Sequence, residues 1–183
     1  MSSITFISSN QEKVDNLSRL LQVQLVHKNV ELMELQSVNM EEIIRHKAEQ
    51  AYEVMHSPVL VDDATMWIDE LHGLPGPFIK FFVKAKNGAE NLCRMTDGLT
   101  SRRATAQAYF GLYDGVVMTI IHGEITGEIA SHPRGNNGFS YGWDSVFCPD
   151  GYGGRTRAEL TQHEYDEVYK IIRPIKELKV LLS

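Results

Sequence analysis

Two adjacent carboxylates, Asp62 and Asp63, follow directly on the apolar run at residues 59–61. The run predicts a buried strand that ends at this pair. Neighbouring side chains of an extended chain point to opposite faces, so the two aspartates are expected to have different surroundings. A carboxylate at the end of such a strand could hold Mg²⁺, take a proton from water as a general base, or simply mark a solvated strand end.

A second candidate site lies where the first apolar run of the chain gives way to a helix. Residues 4–8 predict a strand, and Ser9 and Asn10 are residue types that cap helices. The free N–H groups at a helix N-terminus attract anions, while Ser8 adds a donor and Lys13 lies in the first turn. The same pattern also describes an ordinary capped helix. The segment is not a Walker loop, because the glycines of that motif are missing.

A third group of polar residues belongs to the helix predicted at 40–55 and to the stretch before it. Glu42 lies on the polar face of this helix, with Lys47 close to that face. Glu34 ends the preceding extended region and could point into the same groove. The alternative is a polar face that is merely solvated.

The fourth candidate is a glycine-rich loop that contains Phe139, Tyr141, Trp143 and Asp144. Its aromatic rings could stack on a nucleobase, which contributes ~1–3 kcal/mol per base. The aspartate beside them could accept hydrogen bonds from ring N–H groups. The alternative is a loop that packed aromatic side chains hold in place.

The elements that must position these residues follow from hydrophobic periodicity and turn signals. Helices are predicted at 11–22, 40–55, 77–86 and 88–98, and over 161–182 with a bend at Pro174. Extended structure is predicted at 4–8, 23–35, 59–61 and 145–149, and over 102–130 with breaks at Asp114-Gly115 and His122-Gly123. This order predicts one α/β domain over 1–183, with a mixed sheet, flanking helices and a groove between two lobes.

Composition excludes several classes of function. The 183 residues carry a formal net charge of -6, with 43% hydrophobic and 23% charged residues, which is typical of a globular protein. A negative chain argues against binding a nucleic-acid backbone. No apolar run approaches the ~20 residues of a membrane span, and no signal peptide is visible. Two cysteines make no disulfide framework, so we expect a cytoplasmic protein with reduced thiols.

Three separated segments together resemble the inosine triphosphate pyrophosphatase family. They read SSNQEKVDNL, VLVDDATMWIDELHGLPGPFIKFF and PRGNNGFSYGWDSVFCPDGYGGRTRAEL, and their order and spacing agree with the family over nearly the whole chain. The resemblance implies a two-lobed mixed sheet with a nucleotide cleft between the lobes, and a homodimer. It also implies Mg²⁺-dependent hydrolysis of non-canonical purine nucleoside triphosphates, such as ITP or XTP, to the monophosphate and pyrophosphate.

The resemblance also implies a role for individual residues of this chain. Asp63 matches the proton acceptor and a Mg²⁺ ligand, and Asp62 is its acidic neighbour. Lys13 and Lys47 match lysines that reach the phosphates and would help to keep Asp63 ionised. The other implied site residues are Glu34, reached with a one-residue gap, and Glu42 for the metal; Ser8, Ser9, Asn10 and Ala64 for the phosphates; and Tyr141, Gly142, Trp143 and Asp144 for the base.

The chain departs from the family pattern at several of these positions. The glycine of the phosphate loop is Ser9 here, a glutamate is Asn16, and the Ser/Thr after the catalytic aspartate is Ala64, which has no hydroxyl. In the C-terminal K-x-x-x-S-H-R motif, the lysine is replaced by Tyr165, and Ser-His-Arg by Tyr169, Lys170 and Ile171.

The last departure concerns base recognition, because the family's His and Arg read the purine's oxo groups. Tyr165 and Lys170 would then line a rewritten base site, with Lys170, Arg173 or His163 as substitute donors. A site that has lost its hydrogen-bond donors loses discrimination. The first expectation is therefore a pyrophosphatase whose base preference differs from inosine and xanthosine. The second is a pyrophosphatase that keeps this preference through the substitute donors. The alternative is a catalytically weakened nucleotide-binding or regulatory protein.

Overall fold

The structure, a computed structural model, describes residues 4–22, 25–139 and 141–182. Its strands are β1 (Thr5–Ile7), β2 (Val26–Lys28), β3 (Val59–Ile68), β4 (Pro75–Gly76), β5 (Arg103–Tyr113), β6 (Met118–Ile129) and β7 (Phe147–Pro149). Its helices are α1 (Gln11–Leu21), α2 (Met40–Met55), α3 (Ile79–Lys84), α4 (Gly88–Arg94), α5 (Gln162–Ile172) and α6 (Ile175–Leu181). Short 3-10 turns lie at Asp69–Leu71 and Arg157–Glu159.

The strands of the described residues form one seven-stranded sheet in the order β2-β1-β3-β5-β6-β7, and β4 also pairs with β3. Strand β1 runs parallel to both β2 and β3. The pairs β3–β4 and β6–β7 are antiparallel. The predicted mixed sheet is therefore confirmed.

The chain divides into two compact units. The first unit comprises residues 1–63, 108–123 and 173–183, and the second comprises 64–107 and 124–172. The predicted single domain and the predicted nucleotide cleft stay predictions.

The core of the first unit is the apolar face of α2 packed against the sheet. Ile44, Ala48 and Ala51 of the helix are fully buried in one cluster with Val59 and Val61 of β3. Asn39 caps the helix, because its side-chain oxygen accepts a hydrogen bond from the Glu41 N–H at 3.0 Å. This packing fixes α2 against the strand that carries the two aspartates.

Two predicted strand boundaries are wrong. Strand β3 does not end at Asp62 but runs on to Ile68, since Met66 and Trp67 pair with β4. Strand β6 passes through the proposed break at His122, whose ring stacks on Tyr109 with centroids 4.7 Å apart.

The proposed C-terminal helix is also corrected. It is two helices, α5 and α6, because proline has no N–H and its ring clashes with the preceding turn. Of the extended stretch proposed at 23–35, only β2 is a strand, and residues 23 and 24 lie outside the described residues. The helices α1 and α2 have the expected bounds to within one residue.

Both cysteines are free and buried. Burial raises the pKa of the Cys93 thiol to about 11, so this thiol stays protonated at neutral pH. Burial also raises the pKa of Cys148. In the described part of the chain, no helix has the length and apolar character needed to cross a membrane.

An acid-sensitive contact joins β5 to the turn after β7. Arg103 donates two hydrogen bonds of 2.7 Å to Asp150, and Thr126 donates a third of 2.7 Å. These contacts lower the pKa of Asp150 from 3.8 to about 2. A carboxylate whose pKa is lower in the folded state stabilises the protein at pH values above its unfolded-state pKa. This contribution disappears as the pH falls through the folded-state pKa.

We therefore expect the wild type to be more stable than Asp150→Asn at pH 6, by about 1 kcal/mol or less because the pair is exposed. The difference should shrink between pH values of about 4 and about 2, following the two pKa values. Urea unfolding of both proteins across this range measures it. A stability difference that is the same at every pH would contradict the prediction.

Candidate active site

The loop between β1 and α1 is held by its own side chains. Asn10 caps α1, because its side-chain oxygen accepts from the Lys13 N–H at 3.2 Å. The Asn10 N–H in turn donates to the Ser8 hydroxyl oxygen at 3.2 Å. His27 of β2 contacts the Ser8 carbonyl oxygen through its Nε2 at 2.7 Å, while Ser9 is exposed. The predicted strand, cap and helix N-terminus are therefore in place at the expected residues.

Asp62 is buried, with a relative exposure of 1%. The Lys13 Nζ donates a 3.3 Å hydrogen bond to its Oδ1 and lies 3.0 Å from its Oδ2, which accepts no hydrogen bond within the described residues. The Arg173 Nη2, on a residue that is 3% exposed, lies 3.7 Å from Oδ2. Two cations therefore balance the charge of one buried carboxylate.

Asp63 has different surroundings, as the alternation along the strand predicts. Its side chain is 38% exposed, and the Lys47 Nζ lies 3.4 Å from its Oδ2. The same Nζ donates a 2.7 Å hydrogen bond to the backbone carbonyl oxygen of Asp62. Lys47 thus connects α2 to the backbone of β3 and places positive charge beside the accessible Asp63 carboxylate. The next residue of the strand, Ala64, is half-buried.

Five charged side chains meet at this part of β3: three cations (Lys13, Lys47 and Arg173) and two carboxylates (Asp62 and Asp63). Their net charge is positive, although the chain as a whole is negative. A local positive charge beside a helix N-terminus is the electrostatic environment that favours binding of a phosphate chain.

The two glutamates predicted to bind the metal with Asp63 lie on the surface of the protein. Glu34 and Glu42 are both exposed, and Glu42 accepts a 2.8 Å hydrogen bond from the Ser37 hydroxyl. Across residues 4–22, 25–139 and 141–182, no group of three or more His, Cys, Asp or Glu side chains is arranged to hold a metal. Asp63 fits Mg²⁺ by its chemistry, because it offers accessible hard oxygen donors.

Asp144 of the aromatic loop is buried inside a polar cluster of the second unit. Its Oδ1 accepts from the Arg157 guanidinium at 2.6 Å. Its Oδ2 accepts from the Tyr165 hydroxyl at 2.8 Å and from the Tyr141 N–H at 2.9 Å. With Asp144 only 2% exposed, both of its oxygens are used within the protein. The contacts favour the alternative in which the loop is held in place by packing.

Aromatic rings complete this cluster. The Arg157 guanidinium lies 4.5 Å above the ring centroid of Tyr165, and Phe139 packs edge-on against the same ring at 5.0 Å. Desolvation raises the pKa of Tyr165 far above its ordinary value, so the phenol stays a hydrogen-bond donor. Gly142 turns the loop with a φ of 65°, a region that favours glycine. The indole Nε1 of Trp143 is buried without a hydrogen-bond partner.

The two C-terminal positions predicted to bind substrate lie in different environments. Tyr165 is fully buried in the Asp144 cluster, whereas Lys170 is exposed on α5. His163, proposed as a substitute donor, is also exposed and pairs with Glu167 at 3.4 Å. Arg173 was a third suggested donor to the base, and it instead contacts Asp62 in the first unit.

Sequence analysis did not predict the pairing of Arg173 with Asp62 or that of Arg157 with Asp144. For Arg173 a signal was present, because the residue lies inside the apolar stretch IIRPI, where an arginine needs a buried counter-ion. For Arg157 the sequence offers no comparable signal. Its pairing with Asp144 depends on a loop that brings together residues thirteen positions apart.

Comparison with known proteins gives relatives over nearly the whole chain. The inosine triphosphate pyrophosphatase 2 of Trypanosoma cruzi is 36% identical over 179 residues, which cover 96% of this chain and 90% of the relative. The dITP/XTP pyrophosphatase of Ignicoccus hospitalis is 35% identical over 164 residues, which cover 86% and 84%.

Solved structures show the same fold. A HAM1 protein from Coxiella burnetii matches with a TM-score of 0.83 and 26% identity, covering 100% of this chain and 98% of that one. A nucleoside-triphosphatase / dITP/XTP pyrophosphatase from Mycobacterium abscessus matches with a TM-score of 0.78 and 26% identity, covering 96% and 98%. The Ham1 family model matches residues 4–179, and with these relatives it shows that the chain belongs to the Ham1 family.

Proposed function

We propose that this protein hydrolyses non-canonical purine nucleoside triphosphates, of the ITP and XTP type, to the monophosphate and pyrophosphate. The observation that carries the proposal is the accessible Asp63 carboxylate beside Lys47. It lies one residue from the buried Asp62, which binds the Lys13 side chain at the start of α1. The names of the Trypanosoma cruzi and Ignicoccus hospitalis relatives supply the class of substrate.

The positive charge around β3 suits the negative triphosphate. Lys13 and Lys47 would bind phosphate oxygens, and the N-terminus of α1 would add N–H donors. The oxygen of a water molecule would form a bond to the α-phosphorus. The bond between this phosphorus and the oxygen that bridges to the β-phosphorus would break, and pyrophosphate would leave. Asp63 would accept the proton of that water, a role that requires an ionised and accessible carboxylate.

Magnesium is part of this proposal. When bound, Mg²⁺ would neutralise charge on the phosphate oxygens. Asp63 would be one ligand, which its partly exposed carboxylate supports, and Glu34 and Glu42 are the further ligands that the family resemblance implies. One or two carboxylates with phosphate oxygens and water are the usual Mg²⁺ environment. We also propose a cytoplasmic homodimer, on the family resemblance alone.

The first prediction concerns substrate and metal. Pyrophosphate release should be faster from ITP, dITP and XTP than from ATP, GTP, CTP or UTP, when compared as kcat/KM. Addition of EDTA should abolish the release, and excess Mg²⁺ should restore it. Tight binding of these nucleotides without turnover would favour the regulatory alternative, which the missing hydroxyl at Ala64 supports. Turnover that is insensitive to EDTA would contradict the role of the metal.

The second prediction concerns Asp63. Asp63→Asn should lower kcat by at least about a hundredfold, the scale of losing a general base. Its thermal stability should change little, because this side chain is partly exposed. Asp69→Asn is the matched control, since it makes the same exchange at an exposed site on the same segment. Near-normal turnover of Asp63→Asn, measured as pyrophosphate release, would remove Asp63 from the chemistry.

We infer that Asp144 shapes the base-side loop and does not itself read the base. Both of its oxygens accept hydrogen bonds from the protein, and its partner Arg157 is only 3% exposed. Removing one member of a buried ion pair leaves the other charge uncompensated, which costs about 3–5 kcal/mol.

Asp144→Asn should therefore lower the free energy of unfolding by about that amount, and Asp144→Asn combined with Arg157→Met should recover part of the loss. Chemical denaturation measures both variants. In protein that is still folded at low temperature, the ratio of kcat/KM for ITP to that for GTP should change by less than about tenfold. Near-wild-type stability with lost discrimination would instead identify Asp144 as a base reader.

A further inference from the structure

We propose that Arg173 is the reserve counter-ion of Asp62 and that it allows Lys13 to leave this aspartate for the phosphates of a substrate. The inference rests on the proposed function, because it assumes that Lys13 binds phosphate. It assigns Arg173 a positioning role: the residue acts through Lys13 and touches no reacting atom.

The distances show an unequal pair of cations around one carboxylate. Lys13 lies within hydrogen-bonding distance of both Asp62 oxygens, at 3.0 and 3.3 Å. Arg173 lies 3.7 Å from Oδ2, which is close enough for an ion pair but too long for a hydrogen bond. This arrangement therefore gives the closer contact to Lys13 and places the Arg173 Nη2 slightly farther away.

Burial explains why a second cation is needed. Asp62 is 1% exposed, so water cannot replace a counter-ion that leaves it. With Lys13 alone, movement of the ammonium group toward a phosphate would strand a charge in the protein interior. Arg173 is equally buried and always charged, and a shift of less than 1 Å would bring it to hydrogen-bonding distance.

The two cations also differ in freedom. Lys13 has a flexible four-carbon stem in the first turn of α1, and its side chain is 16% exposed. Arg173 lies at the junction between α5 and α6, next to Pro174. Lys13, which is partly exposed and flexible, is thus the cation able to turn to a ligand. Arg173, which is buried, stays with the aspartate.

Charge-balanced variants test this assignment, with inorganic tripolyphosphate as the probe in calorimetry and ITP as the substrate. Arg173→Met leaves Lys13 as the remaining partner of Asp62 in this trio. It should weaken tripolyphosphate binding by roughly tenfold or more, as expected for one charge lost in a partly buried site. The KM for ITP should rise by a similar factor, and kcat should change less.

Rescue separates this role from a merely structural one. Asp62→Asn combined with Arg173→Met restores the net charge of the trio and releases Lys13, so its binding should return to within about threefold of wild type. Arg173→Lys should also retain binding. Arg19→Met, which removes an exposed charge from α1, is the matched control and should bind like wild type. Thermal unfolding identifies the variants that fold.

Several results would overturn the inference. These are wild-type affinity in Arg173→Met, no recovery in the double variant, or weak binding in Arg173→Lys. If Arg173→Met does not fold, Asp62→Asn decides, because the released Lys13 should make it bind tripolyphosphate at least as tightly as wild type. A wild type that binds no tripolyphosphate also overturns the inference. If the expected shifts occur in a protein that hydrolyses no nucleotide, the inference holds and the proposed function fails.

Discussion

The buried negative charge of Asp62 in the first unit determines where the neighbouring cations Lys13 and Arg173 lie. A buried carboxylate needs counter-ions, and the structure supplies Lys13 from α1 and Arg173 from the α5–α6 junction. These partners lie 49 and 111 positions away along the chain, so one ion-pair cluster ties the two ends of the unit to its central strand. The same strand then presents Asp63 on its other face, where Lys47 holds both this carboxylate and the Asp62 backbone.

This arrangement explains how two adjacent aspartates have separate roles. Alternation along β3 places one side chain in the interior and the next in a partly exposed position. The buried one cannot serve as an accessible base, but it controls where a lysine lies. The other is partly exposed and therefore accessible to solvent. Two neighbouring carboxylates can therefore have a buried and a solvent-accessible environment without any special backbone geometry.

Local patterns in the sequence predicted the elements well, and long-range charge pairing set the limits of that prediction. Helices α1 and α2 follow from caps and a 3.6-residue period, which are local properties. The end assigned to β3 was wrong because carboxylates look like strand terminators until their partners are known. The pairings of Arg173 with Asp62 and of Arg157 with Asp144 were not predicted for the same reason, since burial of a guanidinium depends on distant residues.

The Asp144 cluster shows how one residue of the altered C-terminal motif, Tyr165, is built into a buried polar network. Tyr165 replaces a lysine of the family pattern, and the phenol now donates to Asp144 while Arg157 lies over its ring and pairs with the same carboxylate. A cation and a neutral donor thus meet at one aspartate, and they come from two different elements, the turn at Arg157–Glu159 and α5. Because Asp144, Arg157 and Tyr165 are all buried, a substitution at Tyr165 acts first on the shape of the loop. If the loop contacts the base as the proposed function requires, selectivity depends on where the loop holds its rings and backbone groups, and the Asp144 cluster is what holds them.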